Sequence, residues 1–251
     1  MITKVVTYRE ESTDDLSIRF VPVVSAWYRT CRVGSPTPCE NGDVRPITIN
    51  VANVTGSLDS HIGVLSDAFE SAVESARRLI GADAIDVLVI DAADMTIPEL
   101  GVCGYTYGPH VVLVALDPLF DLTKKCIEAT LVHEFHHAMR WRGPGCDGDL
   151  AQMLVSEGMA QLFEEEVLGE APFYSQVRIS DDEVSQARAT LYDRKFSQSK
   201  WFFGSEHITM HFGYTYGYQL CKSYALAIHK KASDLVDIPT RDVIEACVRS
   251  V

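Results

Sequence analysis

Between Thr130 and Arg140 the chain reads Thr-Leu-Val-His-Glu-Phe-His-His-Ala-Met-Arg, and within it His133, Glu134 and His137 form the pattern H-E-x-x-H. On an α-helix, residues i and i+4 lie one above the other on one face. Two imidazoles at that spacing can aim at a single point, and a carboxylate beside the first can reach a water held there. That is the donor set of a zinc hydrolase: two neutral nitrogen ligands and a carboxylate that accepts a proton from water. The preceding run from Cys126 to Val132 is apolar at helical spacing, which predicts a buried helix. Burying three histidines and a glutamate costs desolvation unless something pairs with them, and a metal would. His136 points roughly 100° away from His137, towards a neighbouring helix rather than the same metal. Arg140 is read either as the partner of a carboxylate behind the site or as a charged helix end.

A catalytic zinc takes three protein ligands and leaves one position open. The next helical pattern runs from about Gly148 to Leu168, and Glu157 falls on or beside its apolar face. Nineteen residues separate His137 from Glu157, the order found in metallopeptidases whose third ligand is a glutamate on the following helix. Gly158 leaves room there for a close neighbour. The loop from Trp141 to Asp147, with Gly143, Pro144 and Gly145, turns the chain so that the two helices face each other. The competing reading of Glu157 is a solvated helix glutamate, as the run Glu164-Glu165-Glu166 is read. Asp147 and Asp149 are weaker loop alternatives. Cys103 and Cys146 lie near the site in sequence, but two histidines and a glutamate already complete three ligands.

Three blocks of the chain resemble a known family. They are Leu131 to Arg140, Leu154 to Phe163 (Leu-Val-Ser-Glu-Gly-Met-Ala-Gln-Leu-Phe) and Phe212 to Tyr218 (Phe-Gly-Tyr-Thr-Tyr-Gly-Tyr), joined by Gly104-Tyr105 and the apolar run ending at Asp117-Pro118. Together they look like the predicted zinc-dependent proteases grouped as domain of unknown function 2268, across roughly residues 100 to 225. The resemblance implies a thermolysin-like, gluzincin metallopeptidase fold, with His133, His137 and Glu157 as ligands of one Zn2+ and Glu134 as base. It implies no particular substrate.

The elements that must position these residues follow the chain. Ser17 to Val24 and Ile47 to Val51 have strand composition, and Arg32 to Arg45 is a loop. Residues 58 to 80 place Ile62, Leu65, Phe69, Val73, Ala76 and Ile80 at 3–4 spacing, a helix stopped by Gly81. Ile85 to Ile90 is a strand. Gly101, Gly104 and Gly108 mark a bent or hairpin segment, and Val111 to Leu116 is a strand. The Gly-rich segment is the candidate for an edge strand over the metal that pairs with an extended substrate, and a structural hairpin is the rival reading. Asp182 to Phe196 is a candidate helix capped by Asp181 or Asp182. Lys200 to Gly204 is aromatic, and a helix opens within His207 to Tyr218. On it Tyr214 and Tyr218 share a face, and Tyr214, Tyr218 and His211, in that order, are candidate donors to an oxyanion; packing in an aromatic core is the rival reading for these tyrosines. A terminal helix with Pro239 near its start closes the chain.

The expected class is therefore α+β: a zincin-like single domain over 1–251, with a small mixed or antiparallel sheet in a strand-rich 1–120 and a mainly helical 121–251 carrying the site. At 251 residues the chain can bury a sizeable core. A net charge of −13 without a basic run argues against nucleic acid and, more weakly, anionic membranes as partners. No apolar run reaches membrane-spanning length, the N-terminus does not read as a signal peptide, and seven irregularly spaced cysteines fit a reducing, cytoplasmic setting. The reading is a zinc peptidase acting on peptides or proteins. Its alternatives are a zinc hydrolase acting on another amide bond and a non-catalytic zinc-bearing binding module.

Overall fold

The structure, a computed structural model, describes residues 3–5, 21–23, 45–146 and 148–248. Two units are distinguished, Met1–Asp43 and Val44–Val251. In the first, β1 (Thr3–Val5) pairs antiparallel with β2 (Val21–Val23). The rest of the expected strand from Ser17 to Val24, and the expected loop up to Asp43, lie outside the described residues.

Among the described residues, the second unit holds a four-stranded mixed sheet and seven α-helices, an α+β arrangement. Its strands are β3 (Ile47–Ala52), β4 (Ile85–Asp91), β5 (Val102–Thr106) and β6 (Val111–Leu116), in the spatial order β3-β4-β6-β5. β3, β4 and β6 run parallel, and β5 returns antiparallel on β6 to form one edge. The sequence explains the pairing. Along β4, Ile85, Val87 and Val89 are buried while Asp86 and Leu88 are exposed, the period-2 pattern of a strand with one covered face. Interior β6 is almost continuously apolar, and Val112, Val114, Ala115 and Leu116 are all buried.

α1 (Ile62–Ile80) connects β3 to β4 and buries Leu65, Ala68, Ala72, Ala76 and Ile80. It ends where Gly81 takes a left-handed conformation, φ 65°, open to glycine at little cost. α2 (Lys124–Trp141) starts at Thr123, whose hydroxyl accepts from the Cys126 N–H at 3.2 Å. α2 packs on α1, on β5 and on α3 (Leu150–Leu168). One continuous core joins the covered sheet face, α1, α2, α3 and the later helices. No helix among the described residues is long and apolar enough to cross a membrane.

The C-terminal half departs from expectation at helix ends. α4 is shorter than expected, Asp181–Thr190, and its cap is Ser180 rather than an aspartate. Ser180 Oγ accepts from the Glu183 N–H while Glu183 reaches back to Ser180, a reciprocal arrangement that no single aspartate supplies. α5 (Gln198–Phe203) buries Trp201 and Phe202. α6 begins only at Phe212 and runs to Ala227; ahead of it, Ser205 and Ile208 form an isolated bridge. α7 (Thr240–Val248) follows Pro239.

α3 and α6 cross where both lack side chains. A Cβ on Gly158 would collide with the Gly217 carbonyl and lie 2.8 Å from Cys221 Sγ, and one on Gly217 would collide with the Leu154 carbonyl. The close neighbour that Gly158 admits is thus α6 itself.

Candidate metal centre

α2 buries ten residues, among them His133, Glu134, His136, His137 and Arg140. The i, i+4 spacing brings His133 Nε2 within 3.0 Å of His137 Nε2. Opposite them, on α3, Glu157 sets Oε2 3.3 Å from His133 Nε2 and Oε1 3.5 Å from His137 Nε2. Around a tetrahedral zinc with bonds of about 2.0–2.1 Å, donor atoms stand about 3.3 Å apart, so these three separations match a zinc-sized gap. Among the described residues, His133, His137 and Glu157 form the group able to hold a metal ion.

The outer nitrogens of both imidazoles are already engaged. His133 Nδ1 lies 2.5 Å from Glu164 Oε1, and His137 Nδ1 lies 3.1 Å from Ser156 Oγ. Each ring therefore turns Nε2 inward, as a histidine ligand requires. The electrostatics of the metal-free cluster agree. Burial pulls His133 down, but Glu157 and Glu164 outweigh it and raise its pKa to about 9. His137 is likewise lowered by burial and raised further by Glu157. Burial raises Glu157, and the two imidazoles pull it well below the ordinary carboxylate range. The three side chains thus stabilise one another by charge where a cation would otherwise do so.

Glu134 stands outside this donor set. The residue is 6% exposed, and its carboxylate is fixed from β5: Thr106 Oγ1 lies 2.6 Å from Oε2 and 3.0 Å from the Glu134 carbonyl. A Cβ on Gly104 would come within 2.7 Å of Glu134 Cδ and Oε1, so only glycine lets the strand lie this close to the helix. Tyr107 N–H donates to Val111 and Asp117 N–H to Gly101, which places the odd-numbered residues of β5 in the hydrogen-bonded pairs with β6. The backbone groups of Gly104 and Thr106 then face the open edge, beside Glu134.

A family model described as "Predicted Zn-dependent protease (DUF2268)" matches residues 65–245, from within α1 to within α7. The chain belongs to this family. Membership in a zinc-dependent protease family implies hydrolysis, zinc, and peptide or protein substrates. No curated protein matches the chain.

The other residues singled out in the sequence meet different fates. Tyr214 lies in the surroundings of His133, His137 and Glu157: burial, then Glu157, Cys103 and Glu134, raise its phenol well above the ordinary range and keep it a donor. Tyr218 is engaged elsewhere: its hydroxyl donates to Glu165 Oε2 at 2.6 Å and accepts from Lys222 Nζ at 2.7 Å. The shared helix face does not give both hydroxyls one role: that of Tyr218 is held by Glu165 and Lys222, while the charges of Glu157 and Glu134 act on that of Tyr214. His211 precedes α6 in a left-handed conformation, φ 66°, and its ring packs on Phe173 and Tyr214 at 5.8 and 6.0 Å.

Asp149 caps α3, accepting from the Gln152 N–H at 2.9 Å, and Asp147 lies outside the described residues. Cys146 Sγ donates to the His137 carbonyl, and burial raises the Cys103 thiol to about 11, so it stays protonated. His136 makes no hydrogen bond to a neighbouring helix. It is wholly buried against Phe163, ring centroids 5.6 Å apart, and burial holds it neutral. Arg140 is neither a carboxylate partner nor a charged end: it is fully buried and donates to the Val236 and Ile238 carbonyls and to Thr240 Oγ1.

Sequence reasoning missed Thr106, Ser156, Tyr174 and Glu164. Glu164 was read as solvated, yet it is 4% exposed. A signal existed: Glu164 follows Glu157 by seven residues, within about 20° of the same helical stripe.

Proposed function

We propose that the chain is a zinc metallopeptidase of the gluzincin type in a zincin-like fold, with His133, His137 and Glu157 as ligands of one Zn2+ and Glu134 as general base. The observation that carries this reading is the convergence of three donor atoms, each imidazole already held from behind, on the helical turn that also bears Glu134. Zinc bound there would polarise the scissile carbonyl and acidify a water. Glu134 accepts the proton of the attacking water and delivers it to the leaving amine. Thr106 holds Oε2 of Glu134 and leaves Oε1 for that transfer. Tyr214, kept neutral, donates to the developing oxyanion, with His211 the second choice; the engagement of Tyr218 by Glu165 and Lys222 ranks it last. A peptide lies extended along the open edge of β5 and pairs with the backbone of Gly104 and Thr106.

The test is Glu134→Gln assayed on a panel of unstructured proteins. Zinc content should remain at the wild-type level while hydrolysis falls at least about 1000-fold, since base and proton carrier are lost together. A variant cleaving at the wild-type rate ends the assignment of Glu134.

A further inference from the structure

Behind the metal-facing atoms, the two histidines are supported unequally. His137 has a neutral hydroxyl at Nδ1, that of Ser156. His133 has a buried carboxylate, and that carboxylate is itself tied down. Oε1 of Glu164 receives both His133 Nδ1, at 2.5 Å, and the hydroxyl of Tyr174, at 3.0 Å. We propose that Glu164 and Tyr174 act as a positioning pair, which fixes the tautomer and orientation of His133 so that its Nε2 is presented to the metal.

The argument is one of burial and geometry. A carboxyl group withdrawn from water needs partners, and among the described contacts Glu164 finds them in these two groups. When His133 is neutral, as a metal ligand must be, an Nδ1–H donated to Glu164 leaves the lone pair on Nε2, the atom aimed at Glu157 and His137. A carboxylate also makes the imidazole a stronger donor to a cation than a hydroxyl does.

Tyr174 is not free to drift. It sits in the 3-10 turn Phe173–Ser175, its carbonyl accepts from Thr215 Oγ1 of α6 at 3.0 Å, and the same Thr215 oxygen accepts from the Val177 N–H at 3.2 Å. Its ring packs against that of Tyr214 at 5.2 Å. The turn after α3 and the start of α6 are thereby locked to the back of one ligand. Neither Glu164 nor Tyr174 touches the metal point or the reacting atoms, so both act through His133.

The inference rests on the metal reading above, and its test separates the two. Zinc dissociation constants are measured by competition with a chromophoric chelator for wild type, Glu164→Gln and Tyr174→Phe, alongside melting temperatures of the metal-free proteins. Wild type that binds no zinc removes the metal reading itself. With zinc bound by wild type, Glu164→Gln should weaken binding about 10–100-fold. Tyr174→Phe should weaken it several-fold with an unchanged metal-free melting temperature, and should shift the visible spectrum of the cobalt-substituted protein. A purely structural role predicts the opposite: a lowered metal-free melting temperature and an unchanged dissociation constant. If Glu164→Gln does not fold, Tyr174→Phe decides alone. A dissociation constant for it within twofold of wild type, or a wild-type cobalt spectrum, overturns the proposal.

Discussion

Two stripes of α3 carry glutamates, and they have opposite surroundings. One stripe, Glu157 and Glu164, faces α2 and meets two imidazoles. The other holds Glu165, bonded to Tyr218 and Lys222 at a partly exposed rim, and Glu166, which accepts from the Ser233 N–H and hydroxyl. Glu164 and Glu165 are chain neighbours of one residue type. One helical step of 100° separates a carboxylate that holds the buried His133 from one that holds the partly exposed Lys222. The lesson is that helix phase, rather than local composition, sorts these residues.

The largest break of that contrast is Glu157→Ala. It should lose stoichiometric zinc on elemental analysis, a greater weakening than the about 100-fold ceiling for groups behind a ligand. Gly158→Ala comes next. Its methyl would meet the Gly217 carbonyl and Cys221, and thermal unfolding should register a loss of about 2–3 kcal/mol.

Glu183 sharpens the comparison, being a buried carboxylate held by neutral donors alone. Burial raises it, but hydrogen bonds from the Thr209 N–H at 2.6 Å and from Ser180 bring it down to about 2. A depressed carboxylate contributes its stability above the unfolded value near 4.5, and that contribution is lost as pH falls towards about 2. Glu183→Gln should therefore cost about 1–2 kcal/mol at neutral pH and flatten the acid limb of the stability profile, as read by denaturant titrations at several pH values. The smallest effect belongs to Glu165→Gln. The Glu165–Lys222 pair is partly exposed, so its loss should cost at most about 1 kcal/mol in the same titrations and leave zinc affinity unchanged.

What was legible follows from range. His133, Glu134 and His137 lie within five residues, and a helix imposes their geometry by itself. Glu157 was reachable because residues can be counted along a second helix, and β4 was readable as a strand from its apolar, β-branched run, while which of its faces is covered was not, since Leu88 is apolar yet exposed. The cap of α4 was legible and was missed: Ser180 and Glu183 stand at the S-x-x-E spacing of a capping box. The start of α6 was not legible, because the segment ahead of it is held by distant contacts, such as the Thr209 N–H with Glu183, which no local spacing encodes.

The sequence by itself determined the donor set and the chemistry those residue types can perform, because i, i+4 geometry is a property of the backbone. Only the tertiary structure decided which neighbours stand behind them. Thr106 reaches Glu134 across 28 positions and Glu164 reaches His133 across 31. Tyr214 and Tyr218 part company because the second is held by Glu165 while the first packs among Tyr174, Phe202 and His211. Those choices are made when α3 closes on α2 and α6 at the glycines, a packing event in which desolvation forces each buried polar atom to find a partner.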